Sequence, residues 1–387
     1  MTARITLPTA QGAGEVLTLR EPAGWQRPAG PPTSRIAYAA AHVVADPHAD
    51  NAPGQPARLD WDATLGVRRN LWSWGLGVAE AMDTAQRGMG LDWAATRELI
   101  RRSAAEAAAC GGRIVAGAAT DQLTGVPTGL DQIVAAYAEQ VAFVQECGAT
   151  AVVMASRQLA ALATGPDDYL RVYDQVLSRS AAPVVLHWLG DMFDPALAGY
   201  WGSTDLDAAT KTFVSLVQSH ADVVDGVKVS LLDADREVRL RELLPTDVRV
   251  YTGDDYHYPE LIAGDGRQFS HALLGAFAAI APAASAALQR LDAGDQVGFR
   301  EILDPTVPLS RHVFAPPTQY YKTGIAFLSW LNGFQPGFTM VGGLHSGRSV
   351  PHLVQVFRLA DAAGLLLDPD LAVERMRRYL SVAGVDA

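Results

Sequence analysis

The stretch Asp225-Gly226-Val227-Lys228-Val229-Ser230-Leu231-Leu232-Asp233 reads as a short strand with a single lysine in apolar surroundings. Side chains alternate along a strand, so Lys228 shares one face with Gly226 and Ser230, while two valines point to the other face. Burial disfavours the charged form of a lysine, and the free amine that it favours is the nucleophile of Schiff-base chemistry. The alternative interpretation is a lysine at a strand end that simply reaches water.

Lysine is rare in this chain. The sequence contains only Lys211, Lys228 and Lys322, against many arginines. A lysine within an apolar strand therefore points to a functional role more than to chance composition, and Lys228 becomes the first candidate for a catalytic residue.

Length and composition indicate the class of protein. The chain has 387 residues, of which 49% are hydrophobic and 19% are charged. This length suits one large α/β barrel with additions, or two domains. No apolar run approaches the roughly 20 residues that a membrane span requires, and residues 1–10 lack the pattern of a signal peptide. We therefore expect a globular protein without membrane contacts.

Charge and cysteine content point to the compartment and exclude one class of partner. The net charge of -11 and the lack of a Lys/Arg cluster argue against nucleic acid as a partner. Cys110 and Cys147 lack the spacing of metal ligands, and they favour a reducing, cytoplasmic location.

The order of the patterned segments predicts the fold. Residues 1–34 are rich in Pro and Gly, which is typical of a short hairpin or an arm over the main body. Eight strand-like runs alternate with helical patterns over residues 35–281, and this order predicts an α/β protein with an eight-stranded (β/α) TIM barrel. A doubly wound sheet is the main rival, but the expected Gly-rich loop is missing after the first strand. Residues 282–387 are predicted to form a C-terminal helical extension.

Polar residues follow the predicted strands, at the edge where TIM barrels carry their chemistry. Loop ends are often polar, so no single one of these residues indicates a site. Their convergence on one rim of the barrel is what predicts an active site. The rim residues predicted from the strand ends are His42, Asp83, Thr84, Thr120, Asp121, Ser156, Arg157, His187, Trp188, Lys228, Gly253, Asp254, Asp255 and His271.

The order of these motifs resembles the dihydrodipicolinate synthase / N-acetylneuraminate lyase superfamily of Schiff-base aldolases and hydro-lyases. The resemblance covers residues 35–335, and it is carried by 225–228, 250–255 and 321–326. It implies that Lys228 condenses with a substrate carbonyl. It also implies a homo-oligomer, a dimer or a tetramer, and chemistry that requires no metal or organic cofactor.

Two departures from the superfamily pattern bear on the substrate. Where the superfamily has a Gly-Thr-Thr-Gly-Glu run that holds a carboxylate, this chain has Met82-Asp83-Thr84-Ala85-Gln86. An ionised Asp83 would repel a carboxylate but would bind hydroxyl groups, unless it pairs with Arg87. At the end of the fifth strand the usual tyrosine is missing, and His187 is predicted to shuttle protons in its place. The alternative for His187 is a structural histidine at the rim.

The remaining candidates are predicted to contact substrate, each with a structural alternative. Asp83, Thr84 and Gln86 follow the second strand, and His42 and His271 are predicted at the ends of the first and eighth strands. One of Asp254 and Asp255 is expected to cap the following helix while the other faces the site. The two histidines have a purely structural role as their alternative.

These residues support two hypotheses for an enzyme and one for a binding protein. The first is a Schiff-base lyase that acts on a keto acid or a sugar-derived keto compound through Lys228 and His187. The second is a metal-dependent isomerase or aldolase with His42, Asp83, His187 and Asp255 as ligands. The third is a barrel that binds a small molecule without catalysis.

Overall fold

The computed structural model describes residues 3–9, 14–82, 86–123, 125 and 127–385. Among these residues, no helix combines the length and the apolar character that crossing a membrane demands.

A β-hairpin opens the chain. Strands β1 (Arg4–Pro8) and β2 (Gly14–Thr18) pair antiparallel. The hairpin lies against the C-terminal helices, because Arg377 Nη2 donates to the Arg4 carbonyl at 2.7 Å and the Arg20 amide donates to Asp361 Oδ1 at 2.9 Å. The two ends of the chain therefore pack on each other.

Eight parallel strands close into a barrel, and β10 pairs with β3 to complete the ring. The predicted (β/α) TIM barrel is thus confirmed. The barrel strands are β3 (Ala37–Ala40), β4 (Gly77–Glu80), β5 (Ile114–Ala118), β6 (Thr150–Val153), β7 (Val184–Leu189), β8 (Val224–Ser230), β9 (Arg249–Thr252) and β10 (His271–Leu274).

Helices surround the barrel, and side-chain caps fix where several of them begin. Asp60, Asp92 and Asp233 each accept a hydrogen bond from a backbone amide three residues ahead, which satisfies one of the free amides of a helix start. The helices up to the last strand are α1 (Trp61–Ser73), α2 (Trp93–Cys110), α3 (Leu130–Glu146), α4 (Arg157–Leu162), α5 (Pro166–Leu177), α6 (Leu206–Ser219), α7 (Ala234–Leu243) and α8 (Tyr258–Ala263).

The chain after the last strand is helical, as expected. The sequence suggests a boundary between barrel and extension at residue 282. Helix α9 begins before that residue and ends after it, so the helix spans the suggested boundary. The helices of this part are α9 (Phe277–Asp292), α10 (Gln296–Leu303), α11 (Val307–Val313), α12 (Tyr321–Leu331), α13 (Val350–Ala362) and α14 (Pro369–Val382).

Two separate hydrophobic cores explain which side chains reach the site. The larger core lies between the strands and the helices, and it includes Val227 and Val229. The smaller core fills the barrel interior. It consists mostly of small or β-branched side chains and includes Tyr251. The Tyr251 hydroxyl donates to Asp225 Oδ2 at 3.1 Å near the start of β8, at the amino-terminal end of the barrel. The carboxyl end is left for polar side chains.

Candidate active site

Lys228 lies inside the barrel on the sixth barrel strand, β8. It alternates with Val227 and Val229, which belong to the outer core, so its side chain points inward. Only 7% of the residue is exposed. Its register partners are His187 on β7 and Tyr251 on β9, which places the lysine and the histidine side by side on adjacent strands.

His187 is fully buried beside this lysine. Its Nε2 lies 3.0 Å from Ser230 Oγ, and Ser230 is the next inward-facing residue after Lys228. This contact fixes the orientation of the imidazole ring toward β8. A histidine held in this way is placed to exchange protons with a group bound at Lys228.

Gly253 leaves the space that the lysine occupies. A β-carbon at this position would clash with Ser230 Oγ and would come within 2.8 Å of both Lys228 Cε and the Val229 carbonyl. The glycine of the Gly-Asp-Asp run is therefore required by the close approach of β8, and any larger residue would displace Lys228 or Ser230.

Asp254 and Asp255 have different surroundings. Asp254 accepts hydrogen bonds from the backbone amides of Tyr256 and His257, and its other oxygen lies 2.9 Å from His257 Nδ1, so it holds the loop before α8. Asp255 accepts from the Ala276 amide at 2.8 Å. Burial raises the pKa of Asp255 to about 7, against the opposing positive charge of Lys228. The positive charge of Lys228 and the hydrogen bond from Ala276 both favour the ionised form of Asp255.

His42 and Gln86 meet at the carboxyl end of the first barrel strand. His42 Nε2 lies 2.6 Å from Gln335 Oε1, and the amide nitrogen of Gln335 donates to the Gly337 carbonyl, which orients its oxygen toward the ring. Burial lowers the pKa of His42 to about 3, so the imidazole is neutral. Gln86 Oε1 accepts from the Val43 amide at 2.7 Å.

Two buried atoms at this point lack a hydrogen-bond partner among the described residues. They are His42 Nδ1, an acceptor in this tautomer, and Gln86 Nε2, a donor. Unsatisfied buried polar atoms are costly, so both are suited to a hydroxyl group or a water molecule. Asp83 and Thr84, predicted next to Gln86, lie outside the described residues.

The predicted position of His271 at the rim is wrong. The eighth barrel strand runs only from His271 to Leu274, so the histidine is its first residue and lies at the amino-terminal end. There His271 Nδ1 accepts from the Ile36 amide at 3.0 Å, and burial lowers the pKa of the ring to about 4. The strand is shorter than its hydrophobic pattern suggests, and its carboxyl end carries Gly275 and Ala276 instead.

Lys322 is the residue that the sequence argument misses. It lies in the first turn of α12, it is 2% exposed, and its Nζ donates to the carbonyl of Ala40 at the end of β3. Burial lowers the pKa of Lys322 to about 7, Arg68 adds to this effect, and the Asp255 carboxylate opposes it. The sequence carried a sign of it, because Lys322 is one of only three lysines and stands before the apolar run 324–328.

A buried ion pair supports the same side of the rim. Arg68 on α1 contacts both carboxylate oxygens of Glu80, at 2.9 Å and 2.7 Å, and both side chains are fully buried. Arg68 also donates to the His42 carbonyl. This pair ties α1 to the ends of the first two barrel strands.

A match to a family model places the chain in a family. The family model described as a protein of unknown function, DUF993, matches residues 5–385. The chain belongs to this family. No curated protein matches it.

Solved structures share the fold of this DUF993 chain at low sequence identity. YagE, a prophage protein of the dihydrodipicolinic acid synthase family from Escherichia coli K12, is 15% identical with a TM-score of 0.65, over 86% of this chain and 99% of its own. Dihydrodipicolinate synthase from Thermotoga maritima is 14% identical with a TM-score of 0.63, over 86% and 99% of the two chains. The 4-hydroxy-tetrahydrodipicolinate synthase from Methylacidiphilum fumariolicum is 13% identical with a TM-score of 0.64, over 88% and 99%. The likeness in fold that the sequence predicts is confirmed.

A cavity of about 280 Å³ opens beside the site at the ends of the third to fifth barrel strands. Its wall includes Leu189, two residues beyond His187 on β7. Arg87 and Arg157 at this cavity are paired with aspartates at 2.7 Å and 2.5 Å. Thr120 Oγ1 lies 2.6 Å from Ser156 Oγ, so the remaining polar groups are neutral hydroxyls and amides.

The hypothesis of a metal site gains no geometric support from the described residues. Among them, no three His, Cys, Asp or Glu side chains lie close enough together to hold a metal ion. Asp83, one of the four candidate ligands, is outside the part of the chain that the structure describes.

Proposed function

We propose that this chain is a lyase that forms a Schiff base between Lys228 and the carbonyl group of a small keto compound, for C–C cleavage or dehydration. The observation that carries the proposal is the inward-facing Lys228, 7% exposed, with His187 opposite on the adjacent strand. The likeness to dihydrodipicolinate synthase folds supports it as an analogy, and one of those structures holds pyruvate.

In this reaction the Lys228 amine attacks the carbonyl carbon and forms a carbinolamine. Loss of water gives a protonated imine, which accepts the electron pair released when a neighbouring C–C bond or C–H bond breaks. His187, held by Ser230, moves the protons that these steps require. After C–C cleavage, or after proton loss and expulsion of hydroxide in a dehydration, water hydrolyses the remaining imine, which releases the product and restores the Lys228 amine.

We propose a hydroxyl-bearing, sugar-derived keto compound in preference to a simple 2-oxo acid. The side cavity presents hydroxyl and amide groups while its charges are paired. The unpartnered atoms of His42 and Gln86 offer one acceptor and one donor to a substrate hydroxyl. Asp83 and Thr84 remain proposed substrate contacts on the sequence argument alone.

The proposal is tested by borohydride reduction of the protein with a panel of ketoses, 2-keto-3-deoxy sugar acids and pyruvate. We expect a substrate-dependent mass increase that peptide mapping assigns to Lys228 and that Lys228→Met abolishes. Lys211→Met is the matched control, because Lys211 is exposed on α6. No adduct with any compound would refute the lysine mechanism, and trapping of pyruvate alone would refute the preference for a hydroxyl-bearing substrate.

A further inference from the structure

The segment after α12 reaches the first barrel strand through Gln335. His42 Nε2 lies 2.6 Å from Gln335 Oε1, and the two residues are only 1% and 2% exposed. The backbone carbonyl of Gln335 accepts from Arg375 Nη1 at 3.1 Å. Gln335 is therefore anchored at its backbone as well as at its side chain.

The hydrogen bonds of Gln335 fix which of its two amide atoms faces the histidine. Its Nε2 donates to the Gly337 carbonyl at 2.7 Å. A carbonyl oxygen can only accept, so the amide nitrogen must lie on this side and the amide oxygen is turned toward the ring. A ring nitrogen that faces an oxygen acceptor must carry a proton. These contacts therefore assign a proton to His42 Nε2.

The imidazole of His42 carries only this one proton. Burial lowers its pKa to about 3 against the hydrogen bond with Gln335, and the positive charges of Lys322 and Arg68 add to the lowering. Lys322 binds the carbonyl of Ala40. Arg68 binds the carbonyl of His42 itself. A second proton is therefore disfavoured beside these two cations, and Nδ1 is left as an acceptor.

The free acceptor has a free donor near it. Tyr38 and Ala40 belong to the core of the barrel interior, so His42 is the next inward-facing residue of this strand. Gln86 Oε1 accepts from the amide of Val43, which leaves Gln86 Nε2 as a donor. His42 Nδ1 and Gln86 Nε2 are buried and lack a partner among the described residues. A hydroxyl group can donate to Nδ1, whereas a carboxylate or a ketone oxygen can only accept.

We propose that Gln335 is a positioning residue that holds the proton of His42 on Nε2, so that Nδ1 selects a hydroxyl group of the substrate and rejects a carboxylate at this point of the site. The selection of a substrate hydroxyl rests on the proposed function. The tautomer of His42 is a property of the free protein and is measured without any substrate.

The tautomer is tested by NMR of protein with 15N-labelled histidine, in which a protonated and an unprotonated ring nitrogen have distinct shifts. The His42 signals, among those of nine histidines, are identified by their loss in His42→Asn. We expect the proton on Nε2 in the wild-type protein. In Gln335→Met the proton loses its acceptor, so the tautomers should mix and the two shifts should move toward each other. Gln335→Glu keeps an oxygen acceptor and should keep the proton on Nε2. Gln289→Met, at an exposed position on α9, is the matched control.

Ketones of equal size test the selection of a hydroxyl group. Hydroxyacetone and butanone differ by a hydroxyl in place of a methyl group, and dihydroxyacetone and diethyl ketone differ by two such exchanges. The rate of borohydride trapping of each hydroxyl compound is divided by that of its partner, and this ratio is compared between variants. We expect the ratio to fall about tenfold in Gln335→Met, the effect of one buried hydrogen bond, and to be retained in Gln335→Glu.

The possible results separate this proposal from the lyase function. A proton on Nδ1 in the wild-type protein would overturn the proposal even if no variant folds, and so would an unchanged tautomer in Gln335→Met. An unchanged trapping ratio in spite of a changed tautomer would also overturn it. If no ketone forms an imine, the lyase function fails, and the same ketones are added to labelled Lys228→Met. A change of the His42 Nδ1 shift with the hydroxyl compounds alone would then support the proposal, and an unchanged shift would refute it.

Discussion

Gly253→Ala tests whether the close approach of β8 and β9 sets the position of Lys228. The backbone of Gly253 does not adopt a positive φ, so alanine is sterically allowed for the main chain and any effect comes from the added methyl group. That group would meet Ser230 Oγ, Lys228 Cε and the Val229 carbonyl. The Val229 carbonyl belongs to a paired strand and cannot shift without disturbing that pairing, so the side chains of Ser230 and Lys228 must move instead.

We expect this variant to lose about 1–3 kcal/mol in free energy of unfolding, the usual cost of an extra methyl in a packed core. Displacement of Ser230 also breaks its 3.0 Å contact with His187. Trapping at Lys228 should therefore fall by more than the stability loss explains. Urea unfolding and borohydride trapping on the folded protein measure the two effects separately. Gly66→Ala is the control, since a β-carbon there meets nothing within 4 Å on α1.

A double variant checks the reasoning. In Gly253→Ala with Ser230→Ala the clashing oxygen is absent, so the combined loss of stability should be smaller than the sum of the two single losses. Additive losses would show that the methyl group and Ser230 do not compete for space, and would refute the account of Gly253. Full trapping activity in Gly253→Ala would refute the idea that Lys228 is held by this packing.

Three further predictions concern the surroundings of the site. Glu80→Gln should cost about 3–5 kcal/mol in urea unfolding because it leaves Arg68 buried without its partner, whereas Glu106→Gln, which removes the partly exposed pair with Arg69, should cost about 0–1 kcal/mol. The pKa of His42 is about 3 in the folded protein and 6.5 in the unfolded chain, so between these values the unfolded chain binds one more proton. The free energy of unfolding should therefore fall as the pH drops from 6.5 to 3, and it should fall less steeply in His42→Asn. His271→Asn should form the borohydride-trapped adduct at the wild-type rate, because His271 lies at the amino-terminal end of the barrel. Reduced trapping in the folded variant would show that His271 takes part in the site after all.

The regular part of the fold was predictable because its signals are local. Asp60 and Asp92 cap α1 and α2 through their own neighbours in sequence. The period of two put Lys228 on the strand face opposite Val227 and Val229, and the structure places those valines in the outer core, so the lysine faces inward.

The errors come from interactions that are distant in sequence. The hydrophobic pattern around His271 continues before the strand, so the pattern gives no sign of where pairing with β3 and β9 begins. Lys322 binds a carbonyl 282 residues away, and His42 binds Gln335, 293 residues away. No periodicity or spacing near either residue indicates such a partner.

These two long-range contacts change how the C-terminal helices should be understood. The sequence separates them from the barrel as an extension, yet α12 supplies Lys322 to the end of the first barrel strand and the following loop supplies Gln335 to His42. Without this segment the Ala40 carbonyl would lose its buried donor, and His42 its partner. The candidate active site is therefore built jointly by the barrel and the C-terminal helices.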